Sequence, residues 1–242
     1  SHPNYALSLN NIAITLSRMG DYHKSLEYNK QALIIRESIF GIEHPDYIHS
    51  LNNIAANYSD IGDYSKSLEY NLKALNSFEK SQGKNQSDLA LYLNNIAVNY
   101  SDLGDNLKSL EYNERAMTIR EKVFGKNHPE YAMSLNNLAL NYSVLGNYSK
   151  ALELNLKALS IKEKALGKNH PDYALSLNNI AMNYSNLGNY TKALEYCFEV
   201  LKIYENTLGK EHPSTALCLN NIAANYIALG NNTKALEYNL LA

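Results

Sequence analysis

The side chains of this sequence that could bind a metal are histidines placed at a regular interval. A His-Pro dipeptide occurs five times at multiples of 42 residues, and Gln86-Ser87 takes its place once. The histidines concerned are His2, His44, His128, His170 and His212. Zinc requires several ligands about 2 Å from one ion, whereas packed helices lie about 8–10 Å apart. Because each interval supplies only one such histidine, the spacing predicts capping and turn packing, and no metal site.

No other group of residues predicts catalysis. Serines such as Ser143 and Ser185 recur beside tyrosine and asparagine, without a base in the repeated pattern that could activate them. The sequence has no Gly-rich phosphate loop and no paired metal-binding motif. His49 stands outside the histidine series, and we expect it to be a ligand contact or a surface residue. The sequence therefore predicts no enzyme, no catalytic residue and no cofactor.

The evenly spaced histidines show that the chain consists of one repeated unit. The helices of this unit must therefore position any functional side chain. The repeats are 2–43, 44–85, 86–127, 128–169, 170–211 and a partial 212–242. Apolar residues follow helical spacing up to Gly146, which can take the positive φ that ends a helix. A second periodic segment ends at Gly167. Each repeat thus predicts a helix A of about 15–17 residues, a tight turn and a helix B of about 18–20 residues.

Two such helices cannot bury their own apolar faces, so neighbouring repeats must stack into an all-α solenoid. We number repeat positions from the His of His-Pro. The residues at positions 8, 11, 12, 15, 19, 21, 24 and 31 of the fourth repeat are Leu135, Leu138, Ala139, Tyr142, Gly146, Tyr148, Ala151 and Ala158. This pattern resembles the tetratricopeptide repeat. The 42-residue length, with LNN-[IL]-A in helix A and E-K-x-x-G-K-x-H-P at the end, resembles the kinesin light chain variant.

The resemblance covers the whole chain and implies its architecture. We expect residues 1–242 to form a single domain, a right-handed superhelical α-solenoid. A helices should line its concave groove and B helices its convex face. The resemblance further implies that positions 6, 9, 13, 16 and 17 of helix A face the groove, and these positions fall within about a third of the helix circumference.

Adjacent asparagines occupy the middle of every helix A, where a buried amide costs free energy unless it finds a partner. The first of each pair, at position 9, is Asn10, Asn52, Asn94, Asn136, Asn178 or Asn220. A further asparagine stands at position 28 of most B helices, where we expect it to be buried and paired with the next helix A.

Three interpretations of these asparagines remain open. One is a structural ladder that joins the repeats, made of Asn53, Asn57, Asn95, Asn99, Asn137, Asn141, Asn179 and Asn183. The second is a groove in which the position-9 asparagines bind the backbone of an extended peptide. Its other members would be His49, Val98, Leu140 and Met182. Codon bias, the third, explains the number of asparagines but not their fixed places.

Charge limits the ligand. Related grooves that clamp a carboxylate use basic residues of helix A, whereas beyond its first turn helix A has only Arg18 here, with Asp60 and Asp102. We therefore expect an extended peptide with modest apolar side chains, bound at about micromolar affinity without charge-assisted hydrogen bonds. Most charges lie on helix B, including Lys157, Lys162 and Glu163, and are predicted to form a solvated convex face.

Composition narrows the partners and the location. The formal net charge is -2 without a basic run, so neither nucleic acid nor an anionic membrane is an expected partner. Cys197 and Cys218 do not belong to the repeat pattern and predict free thiols in a reducing compartment. Glycosylation sequons at Asn57 and Asn141 fall inside predicted helices, where a glycan would obstruct packing. Together these features predict a cytoplasmic protein.

Two alternative functions remain. Neither end shows a polar capping repeat, so one alternative is end-to-end self-association through Leu7, Leu9, Leu236 and Leu240. The other alternative is the sensor arm of a larger signalling protein.

Overall fold

The computed structural model describes residues 3–81 and 85–242, and these residues form twelve helices and no strand. The A helices are α1 (Pro3–Arg18), α3 (Pro45–Ile61), α5 (Gln86–Asp102), α7 (Pro129–Val144), α9 (Pro171–Asn186) and α11 (Pro213–Ala228). The B helices are α2 (Tyr22–Phe40), α4 (Tyr64–Lys80), α6 (Asn106–Phe124), α8 (Tyr148–Leu166), α10 (Tyr190–Thr207) and α12 (Asn232–Leu241). The predicted all-α series of helical hairpins is confirmed.

Side-chain caps begin the helices where the repeat pattern predicts. The Nδ1 of His128 accepts a hydrogen bond from the N–H of Glu130 at 3.1 Å, and its ring stacks on Phe124. His44, His170 and His212 make the same cap. His2 lies outside the described residues. The capping role of the described histidines is thus confirmed.

The turn between helices A and B also follows the sequence. Gly146 follows α7 with a φ of 79°, a backbone conformation that costs glycine little. The Oδ1 of Asn147 then accepts from the N–H of Lys150 and caps α8.

Contacts divide the chain into two compact units, one reaching up to Ile119 and the other comprising Arg120–Ala242. We call them the N-terminal and C-terminal units. Within the units, consecutive helices pack together from α1 to α5 and from α7 to α12. The single domain of residues 1–242 stays a prediction.

Both units bury the same repeat positions. Leu51 at position 8 and Ala74 at position 31 are fully enclosed in the N-terminal unit. Leu177 and Val200 are their counterparts in the C-terminal unit. Burial of each large aliphatic side chain contributes about 1.5–3 kcal/mol to folding. Because these contacts join one helix to the next, the hairpins depend on their neighbours.

Buried asparagines add a ladder of hydrogen bonds to this core. In the N-terminal unit, the Nδ2 of Asn29 donates to the Oδ1 of Asn57 at 2.7 Å. The Nδ2 of Asn57 donates to the Oγ of Ser25 at 2.9 Å, and Ser25 donates to the carbonyl of Ala13. The ladder therefore links helix B of one repeat to helix A of the next and satisfies most of the polar atoms it encloses.

The next repeat repeats this arrangement. The Nδ2 of Asn71 donates to the Oδ1 of Asn99 at 2.6 Å, and Asn99 donates to the Oγ of Ser67 at 2.8 Å. In the C-terminal unit, the Oδ1 atoms of Asn183 and Asn225 are buried without a partner among the described residues. The Oδ1 atoms of Asn29 and Asn71 are likewise buried without a partner among the described residues. The two units therefore differ at position 14, where the Oδ1 of Asn57 or Asn99 accepts a hydrogen bond and that of Asn183 or Asn225 does not.

This difference predicts unequal costs for the same substitution. Asn99→Ala deprives the buried Asn71 of its acceptor, so we expect it to lower the free energy of unfolding by about 2 kcal/mol or more. Asn183→Ala removes the same atoms, but the Oδ1 of Asn183 accepts no hydrogen bond in the folded chain. We therefore expect it to lower the free energy of unfolding by clearly less than Asn99→Ala does. Urea unfolding followed by circular dichroism measures both, and equal midpoints would contradict the ladder's energetic role.

Candidate functional site

Side chains at repeat positions 6, 9 and 13 share one face of the A helices, which we call the A face. Val98, Leu140 and Met182 are exposed there at position 13, and His49 is exposed at position 6. Five position-9 asparagines are exposed or half-buried between them, namely Asn10, Asn52, Asn94, Asn178 and Asn220. Within each unit the A face is thus a row of amides flanked by small or apolar side chains.

Pairs of asparagines connect consecutive A helices on this face. In each pair, the second asparagine of a repeat donates its Nδ2 hydrogen to the Oδ1 of the first asparagine of the preceding repeat. The pairs are Asn53 to Asn10 at 2.7 Å, Asn95 to Asn52 at 2.7 Å, and Asn221 to Asn178 at 3.2 Å. We call these pairs asparagine clasps, and they add a second, outer ladder to the buried one.

A clasp engages only two of the four polar side-chain atoms of its two amides. Among the described residues, no protein group bonds the Nδ2 of Asn10 or Asn52, or the Oδ1 of Asn53 or Asn95. One donor and one acceptor therefore remain beside each other on the A face. A peptide backbone offers the complementary pair, a carbonyl acceptor and an N–H donor.

The clasp between α3 and α5 adjoins a recess of about 150 Å³. Asn52 and Asn95 line it together with Ala56 and Val98. Its shallow shape and small side chains leave the amides accessible to a backbone that lies across the A helices.

One predicted groove residue departs from this arrangement. Asn136 is only 8% exposed, and its Nδ2 donates to the Oδ1 of Asn155 at 2.8 Å. Asn94, Asn137 and Asn141 all have interaction partners. The structure thus brings most of the predicted asparagines to the A face or to the buried ladder, and it turns Asn136 inward.

Charged side chains at position 35 of helix B lie at the joints between repeats, which the sequence analysis did not foresee. The Nη1 of Arg36 donates to the Oγ of Ser50 at 2.7 Å, and the Nη1 of Arg120 donates to the Oγ of Ser134 at 2.9 Å. Lys162 is only 4% exposed. The prediction that Lys162 belongs to a solvated face is wrong, because the next helix A covers the end of helix B.

The sequence contains a signal for these buried cations, because the residue type at position 35 varies together with the residue type at position 7 of the following repeat. Position 35 is Arg36, Phe78, Arg120, Lys162 or Tyr204, and position 7 of the following repeat is Ser50, Tyr92, Ser134, Ser176 or Cys218. Cations therefore face serines, whereas the ring of Phe78 packs against that of Tyr92 with centroids 5.3 Å apart. Burial lowers the pKa of the Arg120 guanidinium and of the Lys162 ammonium, although Glu130 and Asp172 oppose the shift.

The two cysteines are free and buried, as the sequence predicts for the thiols. The Sγ of Cys218 donates to the carbonyl of Cys197 at 3.3 Å. Burial raises the pKa of Cys197 to about 11 and that of Cys218 to about 12. Both side chains are therefore neutral parts of the core near neutral pH.

The described residues contain neither a metal-binding cluster nor a membrane-spanning helix. No cluster of three or more His, Cys, Asp or Glu side chains that could hold a metal ion occurs among residues 3–81 and 85–242. No helix in the same ranges combines the length and apolar composition that crossing a membrane would require.

The chain matches a known repeat family along almost its entire length. The family model described as tetratricopeptide repeat matches residues 4–80, 88–164, 142–196 and 172–242. No curated protein matches the chain significantly.

Several solved structures share the fold. BtubC (BKLC) from P. vanneervenii is 20% identical with a TM-score of 0.72, over 92% of this chain and 87% of its own. A kinesin light chain-like protein from Podosopora anserina with nearly identical TPR-like repeats is 23% identical with a TM-score of 0.73, over 86% and 98%.

A third structure is a signal transduction ATPase with numerous domains from Pyrococcus horikoshii that has a tetratricopeptide repeat sensor. It is 18% identical with a TM-score of 0.74, over 97% of this chain and 36% of its own. At these identities the likeness concerns the fold alone.

The raised thiol pKa values predict slow chemistry at the cysteines. At pH 8 an unfolded cysteine is partly ionised because its pKa is about 8.5, whereas the buried thiols remain protonated. We expect Ellman's reagent to label Cys197 and Cys218 only as fast as the protein opens, and both at once in urea. Native-state labelling at the rate of an unstructured cysteine peptide would contradict this burial.

Proposed function

Because the chain belongs to the tetratricopeptide repeat family, whose members are generally non-catalytic protein-interaction scaffolds, we propose that it binds an extended peptide on the A face. The observation that carries this proposal is the asparagine clasp, which leaves one amide donor and one amide acceptor beside each other. Asn10 and Asn52 would donate to peptide carbonyls, and Asn53, Asn95 and Asn221 would accept from peptide N–H groups. Asn178 would donate as well, in place of its weak hydrogen bond to the Sδ of Met182 at 3.8 Å.

The spacing of the clasps suits an extended backbone. Packed helices lie about 8–10 Å apart, and an extended chain rises about 3.3 Å per residue. Successive clasps within a unit would therefore contact about every third residue of the peptide. The side chains between these contacts would lie against Val98 or Met182 and contribute apolar burial.

Charge selects the class of peptide. Basic side chains that could clamp a terminal carboxylate are scarce on the A helices, where Arg18 stands at the end of α1. The exposed side chains Leu140, Met182 and Val98 are apolar. A neutral segment with modest apolar side chains fits this surface, at about micromolar affinity.

Aspartate substitutions can remove the free donor while keeping the clasp. In Asn10→Asp/Asn52→Asp/Asn178→Asp, a carboxylate oxygen still accepts from Asn53, Asn95 and Asn221, but a second oxygen replaces the donor and repels a peptide carbonyl. Peptides selected by display on the unmodified chain should lose at least tenfold in affinity, measured by fluorescence polarisation.

The matched control adds the same three charges away from the A face. Asn147→Asp/Asn189→Asp/Asn231→Asp changes helix caps, a place where Asp21, Asp63 and Asp105 already occur in other repeats. This variant should bind as the unmodified chain does. Unchanged affinity in the clasp variant, or an equal loss in the control, would contradict backbone binding by the clasps.

Self-association is the second candidate, because α1 and α12 carry exposed leucines. Leu7, Leu236 and Leu240 are exposed, whereas Leu9 is only 3% exposed and packs with Ala32 of α2. The expectation that Leu9 is available for association is therefore wrong. A charge at Leu9 would disrupt the hairpin and would not test the association.

Sedimentation tests this candidate. If the chain associates end to end, its sedimentation coefficient should rise with protein concentration. The variant Leu7→Glu/Leu236→Glu/Leu240→Glu should keep the sedimentation coefficient of a monomer at every concentration. Leu107→Glu is the control, since Leu107 is 70% exposed on α6. Equal behaviour of all three proteins would contradict association through these leucines.

The sensor-arm alternative has one supporting observation, the same fold in the repeat sensor of the Pyrococcus horikoshii signalling ATPase. A peptide bound on the A face would be compatible with that role. The cytoplasmic location stays a prediction based on the cysteines and the sequons.

A further inference from the structure

The asparagine clasp is missing between α7 and α9. Its two expected members are Asn136 and Asn179. Asn136 bonds Asn155 within the interior of the C-terminal unit. Asn179 has no hydrogen-bond partner among the described residues, whereas Asn53 and Asn95 donate across the joint at the same position.

A joint with an arginine shows how the clasp is normally kept. Arg36 donates from its Nη1 to the Oγ of Ser50 at 2.7 Å and to the carbonyl of Asp46 at 3.1 Å. The planar guanidinium bonds both acceptors of the next helix A. Asn10 takes no part in this contact, so its Oδ1 remains available to Asn53.

The fourth repeat has Lys162 at this position, and the joint changes. The Nζ of Lys162 donates to the carbonyl of Asp172 at 3.2 Å and to the Oδ1 of Asn136 at 2.8 Å. Ser176 also donates to that Oδ1, at 3.0 Å. An ammonium group is a compact charge with three hydrogens to satisfy, and here it holds the position-9 amide that would otherwise close the clasp.

The change extends into the buried ladder. Asn155 accepts from Asn136, whereas Asn29 at the same repeat position donates to the asparagine of the next helix A. Ala151 stands where Ser25 supplies a hydroxyl in the first repeat. Because Asn155 does not donate as Asn29 does, the buried Oδ1 of Asn183 has no partner among the described residues, and Ala151 offers no hydroxyl to accept from its Nδ2.

Lys162, Asn136 and Asn179 line a recess of about 410 Å³ between α7 and α9. This volume is within the range of about 300–1,000 Å³ that ligand sites occupy. Met133, Leu140 and Leu175 form apolar walls, and Asn136, Lys162 and Asn179 contribute polar atoms. Leu140 and Asn179 also line the small adjoining cavity that reaches Asn183. The recess therefore combines an apolar passage with an unpaired amide.

We infer that this recess, if the A face binds a peptide as proposed above, receives a glutamine side chain of that peptide. The two methylene groups of glutamine would pack between Met133 and Leu175. Its terminal amide would donate to the Oδ1 of Asn179 and accept from the Nδ2 of Asn179. A primary amide is the side-chain group that satisfies both halves of an unpaired asparagine at once.

Charge disfavours the acidic and basic relatives of glutamine. The charged groups that line the recess are Glu130, Asp172 and Lys162, which sum to -1. Of these groups Glu130 is already paired with Arg120, whose Nε lies 3.3 Å from its Oε2. A glutamate would add a carboxylate near that of Asp172 and could not donate to the Oδ1 of Asn179, and a lysine would bring its ammonium toward Lys162. A leucine would fill the apolar passage but leave Asn179 unpaired, at the cost of an unsatisfied and partly enclosed amide.

Five capped peptides of the form acetyl-Ala-Ala-Xaa-Ala-Ala-amide test this selectivity, with Xaa as Gln, Glu, Lys, Leu or Ala. Titration into the ¹⁵N-labelled chain reports the side-chain NH₂ signals of Asn179 and of the clasp members Asn52 and Asn95. We expect the Gln peptide to shift the Asn179 signal with saturation and to bind at least fivefold more tightly than the Glu and Leu peptides.

A lysine-to-arginine exchange closes the recess without removing any of its walls. In Lys162→Arg the guanidinium can bond Ser176 and Asp172 as Arg36 bonds its own joint, which frees Asn136 to accept from Asn179. Arginine is native at this position in two other repeats, so the variant should melt no lower than the unmodified chain. We expect it to lose the preference for Gln and to show an Asn179 NH₂ that exchanges more slowly with water.

The outcomes separate the two proposals. Shifts of Asn52 and Asn95 by all five peptides, without any preference at Asn179, would overturn the glutamine site and leave the A face intact. Tightest binding of the Glu peptide would overturn it in favour of an anion site at Lys162. No shift at either place by any peptide at 10 mM would contradict both proposals. A Gln preference that persists in Lys162→Arg would show that the open clasp is not its source.

Discussion

A primary amide enclosed in a protein must find both a donor and an acceptor, and the joints of this chain are organised around that requirement. Asparagine is self-complementary, because one amide can donate to another and leave the same two kinds of group at its far side. A row of identical repeats can therefore use the same residue on both sides of every joint. A row of carboxylates or ammonium groups could not, since like charges would face each other at each step.

The position-35 side chains are the variable part of this scheme. Where Arg36 meets Ser50, the charge is satisfied within the joint and the A face keeps its clasp. Where Lys162 stands, its ammonium bonds Asn136, and four asparagines on α7, α8 and α9 differ in their hydrogen bonds from their counterparts at the Arg36 joint. An exchange of one cation for the other thus accompanies a different surface for a ligand to meet, although the backbone and the apolar core follow the same repeat. Buried polar contacts transmit this difference because each amide has only a few possible partners.

Much of the fold follows from the sequence, because the 42-residue period fixes the helices, their histidine caps and the glycine turn after α7. The pairing of Asn29 with an amide of the next helix A is also accessible, since an isolated asparagine in an apolar stripe requires a partner. The burial of Leu9 is accessible as well, because Leu9 occupies position 8, as the core residues Leu51 and Leu177 do. Two features are not accessible from helical spacing: Lys162 is covered by the following repeat, and Asn136 turns inward to accept from Lys162, a residue 26 positions away. Each depends on what a neighbouring helix brings to a joint, and spacing within one helix does not report that.

All three clasps have their donor and acceptor in the same order along the chain. In each of them the donor belongs to the later repeat and the acceptor to the earlier one. The amide nitrogen outside the clasp therefore lies on the earlier helix and the amide oxygen outside it on the later helix, although the nitrogen of Asn178 also donates weakly to the Sδ of Met182. Such a surface has a direction. A peptide bound with its N- and C-terminal ends exchanged would place its carbonyl groups against amide oxygens and its N–H groups against amide hydrogens at each clasp. Because every clasp has the same donor-to-acceptor direction, the A face would bind a peptide in only one N-to-C orientation.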